Sequence, residues 1–131
     1  MSSFVLTPEK VDAVRSLIDK NLIKAGVRKV LVIDDAGNIL TECGNDSHIV
    51  DTTSLAALTA ANFGATAQIA RLIGENDFSL LFHKGEKLSV HIVRIGKGLI
   101  MISIFTDDLS LGLIRCRITE LITPIRNLLE N

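Results

Sequence analysis

Thr52–Ile73 (TTSLAALTAANFGATAQIARLI) is the stretch on which the fold turns. Apolar residues recur through it at helical spacing, Asp51, Thr52 or Ser54 can cap its start, and Gly74 stops it, so it reads as one long helix. Leu55, Leu58, Ala65, Ile69, Leu72 and Ile73 make one side, which is expected to lie on a sheet. The other side holds Ala57, Ala60, Ala61, Gly64, Ala67 and Gln68. A solvent-facing side would normally carry Lys and Glu, yet no charge occurs between Asp51 and Arg71. Gly64 weakens the helix by ~1 kcal/mol relative to Ala, which makes sense where another backbone or helix comes close. Helices of a layered domain keep one side outside, so the small-residue side reads as an intermolecular surface rather than as buried core.

Upstream, Thr7-Pro8-Glu9 starts a first helix: Thr7 caps, Pro8 suits the first turn, and Glu9 meets the positive end of the dipole. Val11, Val14, Ile18 and Leu22 form its stripe, and Gly26 closes it. Lys29–Asp34 (KVLVID) and Ile39–Cys43 (ILTEC) are strands joined by the turn Asp35-Ala36-Gly37-Asn38, and a polar loop follows over 44–51. Downstream, Phe78–His83, Leu88–Ile95 and Leu99–Thr106 are three strands linked by short turns containing glycine. Asp107, Asp108 and Ser110 introduce a last amphipathic helix with the stripe Leu111, Ile114, Ile118, Leu121, Ile122, Ile125, Leu128 and Leu129. Pro124 removes one backbone hydrogen bond there, so a kink is expected near Glu120–Pro124. The order is α-β-β-α-β-β-β-α. Hairpins dominate it, which implies an α/β sandwich with a mainly antiparallel sheet and one crossover through the middle helix. No repeat or boundary interrupts residues 1–131, which read as a single domain.

A net charge of −1 gives no electrostatic case for nucleic acid or an anionic membrane surface. Hydrophobic residues are 47% of the chain, but runs such as Leu99–Ile102 are far too short for membrane insertion. Burying the excess apolar surface in a homo-oligomer is the simplest outlet. Met1–Leu6 lacks the basic start of a signal peptide, so a cytoplasmic protein is expected, with Cys43 and Cys116 as free thiols.

The strand Phe78–His83 alternates Phe78, Leu80 and Phe82 to one side and Ser79, Leu81 and His83 to the other. If it lies at the sheet edge, it lacks the Lys, Pro or bulge that usually blocks pairing with another chain. Chemistry of its own finds little support in this chain. His48 lies in the polar loop. Matching positions 78, 80 and 82 with 88, 90 and 92 puts His83 and His91 on one face, but without an acidic or cysteine ligand there no metal is expected. Gly96-Lys97-Gly98 links two strands and is a hairpin turn, not a phosphate loop. The pairs Asp34-Asp35 and Asp107-Asp108 fall where a turn or a cap wants Asp. No cofactor is expected, and the chain reads as a non-enzyme. Arg71, Arg115 and Arg117 raise the question of an arginine supplied in trans to a phosphoryl group, with Arg71 on the expected partner face.

The run Leu55–Glu75 (LAALTAANFGATAQIARLIGE), Phe78, His83-Lys84-Gly85-Glu86-Lys87, and Ser110–Arg115 after a strand ending in Phe105 resemble the roadblock/dynein light-chain family, in its bacterial MglB-like branch. The resemblance spans about Val11 to Leu129. It implies a five-stranded antiparallel sheet with the middle helix on one face and the terminal helices on the other. It further implies a homodimer made by side-by-side middle helices and by paired strands Phe78–His83. In that branch the dimer binds a small Ras-like, MglA-like GTPase and activates it by arranging the GTPase's own catalytic groups; elsewhere in the family, related domains serve as scaffolds. Carried onto this sequence, the partner-binding positions are Gly64 and Gln68, sharing a face with Ala57, Ala60, Ala61 and Arg71. Gln68 stands where small residues are common. A small-ligand sensor on a similar domain is the remaining alternative; the small, tightly packed middle helix speaks against a lined pocket.

Overall fold

The computed structural model describes residues 6–44 and 51–130. Its elements are α1 (Pro8–Ile18), β1 (Lys29–Asp34), β2 (Ile39–Cys43), α2 (Thr52–Leu72), β3 (Leu80–Lys84), β4 (Leu88–Gly96), β5 (Leu99–Thr106) and α3 (Leu111–Glu130). The strands form one five-stranded antiparallel sheet in the order β2-β1-β5-β4-β3, with β2 and β3 at its edges.

The expected starts and stops are made by the expected residues. Thr7 accepts the Lys10 N–H at 3.2 Å, and Pro8 follows in the first turn of α1. Asp51 caps α2, taking the Ser54 N–H at 3.0 Å and the Ser54 hydroxyl at 2.7 Å. These two bonds hold its carboxyl below its ordinary pKa, the backbone bond most. Gly74, with φ +86°, ends α2: the Glu75 N–H reaches the Ala70 carbonyl and the Gly74 N–H that of Arg71. The same pair of bonds closes the first helix at Gly26, but its last part, Asp19–Ile23, is a π-helical turn rather than a continuation of α1. Ser110 caps α3, which runs through an exposed Pro124 without interruption.

Both faces of the sheet are covered. Val30, Val32, Val93, Ile95, Leu99, Met101 and Phe105 meet Val14, Ile18 and Leu22 of the first helix and Ile114, Ile118, Leu121 and Ile125 of α3. Leu31, Ile33, Ile92, Ile100, Ile102 and Ile104 meet α2 on the other face. Alternation along β1 and β5 thus feeds two cores, as strands apolar on both sides require.

The side of α2 that faces the sheet differs from expectation. The buried stripe is Ala56, Thr59, Phe63 and Ala70, with Leu55 and Ala60 packed against it. Leu58, Ile69, Leu72 and Ile73 are instead 70%, 53%, 86% and 67% exposed, and Ala65 is exposed with them. The reason is volume. The sheet contributes six large Leu and Ile side chains to this core, leaving room under the helix for Ala, Thr and a single Phe. Ala60, expected on the outer side, belongs to the packed one.

Candidate functional site

The outer side of α2 carries Ala57, Leu58, Ala61, Gly64, Ala65, Gln68, Ile69, Arg71 and Leu72, all exposed. Its sequence is free of charge from Thr52 to Ala70. Of the expected partner-binding residues, Ala57, Ala61, Gly64, Gln68 and Arg71 therefore share one surface, and only Ala60 drops out. A Cβ added at Gly64 would meet nothing within 4 Å among the described residues. Packing among the described residues thus does not require the glycine. Its cost to the helix is left without an internal return.

Gly37, at φ +89°, lets the β1–β2 turn pass close under the start of α2: a Cβ there would stand 3.0 Å from the Ala57 Cα. This side of the helix is pinned toward β1 and β2. Leu58 and Ile69 are exposed on the other flank of the helix. Leu81, Phe78 and Val90 are only half-buried and Leu88 is exposed. Leu81 and Val90 pack against the core beneath α2, so a thinly covered sheet edge lies on the same face of the sheet as that helix.

The edge strand begins two residues later than expected, at Leu80, and takes in Lys84. Phe78 and Ser79 precede it, although the Ser79 carbonyl still accepts the Arg94 N–H at 2.9 Å. Leu80 and Phe82 pack on the α1/α3 side, with Phe82 stacked on Phe105 at 6.3 Å, and Leu81 packs on the α2 side. Lys84, paired with Asp107 at 3.4 Å, puts one charge at the end of an otherwise unprotected edge.

The histidines are not brought together. Phe82 stands opposite His91 and His83 opposite Val90; this is offset by one residue from the expected matching, so His83 and His91 point to opposite faces. His83 is exposed, while His91 is 2% exposed beneath α3. Burial, helped by the positive charge of Arg115, pushes the His91 pKa down to about 4. Its Nδ1 and the hydroxyl of Ser103, its cross-strand neighbour, have no hydrogen-bond partner among the described residues. No metal-binding cluster occurs among the described residues either; His48 lies outside them. Arg115 and Arg117 are on α3, across the sheet from the α2 surface, and Arg117 Nη1 donates to the Asn21 carbonyl at 3.5 Å. Asp34 accepts the Ala36 and Asn38 N–H groups inside its turn, and Asp108 accepts the Thr106 hydroxyl. Gly96-Lys97-Gly98 is the β4–β5 turn, held by Glu130 Oε1, which accepts the Lys97 N–H at 2.8 Å.

A cleft of about 450 Å³ opens between the first helix and β2, lined by Arg15, Asp19, Ile23, Glu42, Cys43 and Gly44. Glu42 is engaged with Lys29 at 2.7 Å. Burial, with Asp19 beside it, pushes the Cys43 thiol up to about 11, so it is a thiol and a poor nucleophile at neutral pH. The cleft lies on the sheet face opposite α2.

Phe63 was the signal that could have located the sheet-facing side. Steps of three and four from this one aromatic residue of the helix reach Ala56, Thr59, Ala60, Ala67 and Ala70, and leave Leu58, Ile69 and Leu72 outside.

Known proteins share this fold. The Roadblock/LC7 domain matches over residues 16–105. The solved structure of Myxococcus xanthus MglB is 33% identical and superposes with a TM-score of 0.85, covering 95% of this chain and 92% of that one. The gliding protein MglB of Thermus thermophilus superposes at 0.87 with 23% identity, over 98% and 96% of the two chains. A structure of MglB with a tetrameric arrangement gives 0.86, 23% identity and the same coverage. At 23% identity the likeness speaks for the fold.

Proposed function

Because this chain belongs to the Roadblock/LC7 domain family, in its MglB-like branch, we propose that it is a homodimeric regulator of a small Ras-like, MglA-like GTPase. The observation that carries this reading is the outer face of α2: free of charge up to Arg71, largely apolar and exposed, with a mid-helix glycine against which nothing among the described residues packs. Covering the surface that Leu58, Ile69, Leu72 and Ile73 still expose would contribute roughly 1–2.5 kcal/mol each. That is strong pressure to find a partner.

Two partners divide the surface. A second copy pairs its β3 edge and lays its α2 beside the first, covering the flank of Leu58 and Ile69 and the half-buried Leu81 and Val90. The self-association of MglB in a tetrameric arrangement is a precedent. The GTPase docks on the small-residue flank of Ala57, Ala61, Gly64, Gln68 and Arg71. There the missing side chain at Gly64 lets its backbone come close. In this reading the chain activates hydrolysis by holding the GTPase's own catalytic groups in place and supplies no active site. The nucleotide belongs to the partner.

The test is GTP hydrolysis by the MglA-like GTPase of the same organism, with and without this protein, together with the mass of the complex. Strong stimulation that is lost in Gly64→Arg establishes an activator working through α2. The variant should stay folded, because the position opens to solvent. Binding without stimulation makes the protein a scaffold, and no binding to such a GTPase removes the proposal.

A further inference from the structure

We infer that Arg94 is a positioning residue for self-association: it fixes the placement of α2 relative to β3, although it belongs to neither element. This rests on the homodimer reading above.

The two elements proposed to meet a second copy are joined by the short link from Gly74 to Ser79. Arg94 holds that link at two points. Its backbone N–H donates to the Ser79 carbonyl at 2.9 Å, and its guanidinium Nε faces Asp77 Oδ2 at 3.6 Å, an ion pair longer than a hydrogen bond. Asp77 is turned into the link by its other oxygen, which accepts the Phe78 N–H at 2.8 Å. The same guanidinium reaches across the sheet to Asp35 of the β1–β2 turn, with Nη1 2.9 Å from Oδ1. Its central carbon lies 5.3 Å from the Phe63 ring centroid, a cation–π contact on the buried side of α2 next to Gly64.

One side chain therefore ties together the turn beneath the start of α2, the middle of α2, and the link that leads to the edge strand. A docking copy must match α2 and β3 at once, so freedom between them has to be removed on association and weakens it. The Arg94 side chain is 26% exposed, while those of Asp35 and Asp77 are 59% and 39% exposed. The two ion pairs are therefore partly screened by solvent, and the contact with the buried Phe63 ring is the shielded one.

The experiment measures the dimer dissociation constant of the full chain by sedimentation equilibrium, and monomer stability by urea unfolding, for the wild type and three variants. Arg94→Met removes all the side-chain contacts. Asp77→Asn removes the charge on the link but keeps an oxygen for the Phe78 N–H. Asp35→Asn removes the shorter ion pair, on the side away from β3. The dissociation constant should rise about tenfold in Arg94→Met and about fivefold in Asp77→Asn, and less than about twofold in Asp35→Asn. The double variant Arg94→Met/Asp77→Asn should be no weaker than Arg94→Met. Association that is unchanged in Asp77→Asn, or weakened in all three variants in proportion to lost monomer stability, overturns the inference and leaves the dimer standing. A wild type that stays monomeric at all concentrations ends the dimer reading and this inference with it.

Discussion

Acid should destabilise this protein through one buried histidine. His91 is 2% exposed, and its pKa lies near 4 instead of the ordinary 6.5, through burial first and Arg115 second. The unfolded chain takes up a proton at this side chain near pH 6.5, whereas the folded chain resists until about pH 4. The neutral folded imidazole therefore contributes stability that is fully present above pH 6.5 and is lost progressively as the pH falls to 4. A shift of this size corresponds to about 3 kcal/mol in total, lost at no more than ~1.4 kcal/mol per pH unit. That is a large part of the stability of an ordinary small domain. With no Trp or Tyr in the chain, unfolding in urea is best followed by far-ultraviolet circular dichroism, at steps from about pH 7 to about pH 4.5. His91→Leu should flatten the pH dependence across this window. Below it, Asp51, whose carboxyl is held below its ordinary pKa, begins to contribute its own loss. Equal slopes in wild type and His91→Leu, or a proton NMR titration placing His91 near its ordinary pKa, would refute the reasoning.

Phe63→Ala should cost about 3–5 kcal/mol in urea unfolding, because Phe63 is the one large α2 side chain fully buried in the core beneath that helix and also meets Arg94. Gly64→Ala should raise stability by up to ~1 kcal/mol, since the site is helical and open; a loss would show that the glycine is needed within the chain itself. Arg71→Ala should leave most of the stimulated GTP hydrolysis intact, and a thousand-fold fall in rate would reveal an arginine acting in trans.

The order of elements, the caps and the strand ends were largely legible because each rests on residues close in sequence. Thr7, Asp51 and Ser110 hydrogen-bond to N–H groups three residues on, and Gly26 and Gly74 adopt a backbone that L side chains avoid. The apolar character of the middle helix, free of charge up to Arg71, was legible in the same way, and one side of it is exposed in the fold. The roadblock likeness of its sequence agrees with the fold that the structure shows.

Which side of that helix faces the sheet was settled only by tertiary packing. Leu58, Ile69 and Leu72 carry more apolar surface than Ala56, Thr59 and Ala70, and hydrophobicity alone puts them inside. The Ile and Leu side chains rising from β1, β4 and β5 fill that space already, so the larger helix residues are left outside. Strand register was decided at the same level. A one-residue offset between β3 and β4 separates His83 from His91 and buries His91 beside Ser103. Arg94 and Asp77, 17 residues apart, pair at the link between α2 and β3, and no local pattern encodes that pairing. Contacts within one helical turn or one hairpin are written in the chain. The filling of a shared volume depends on which strands arrive there together.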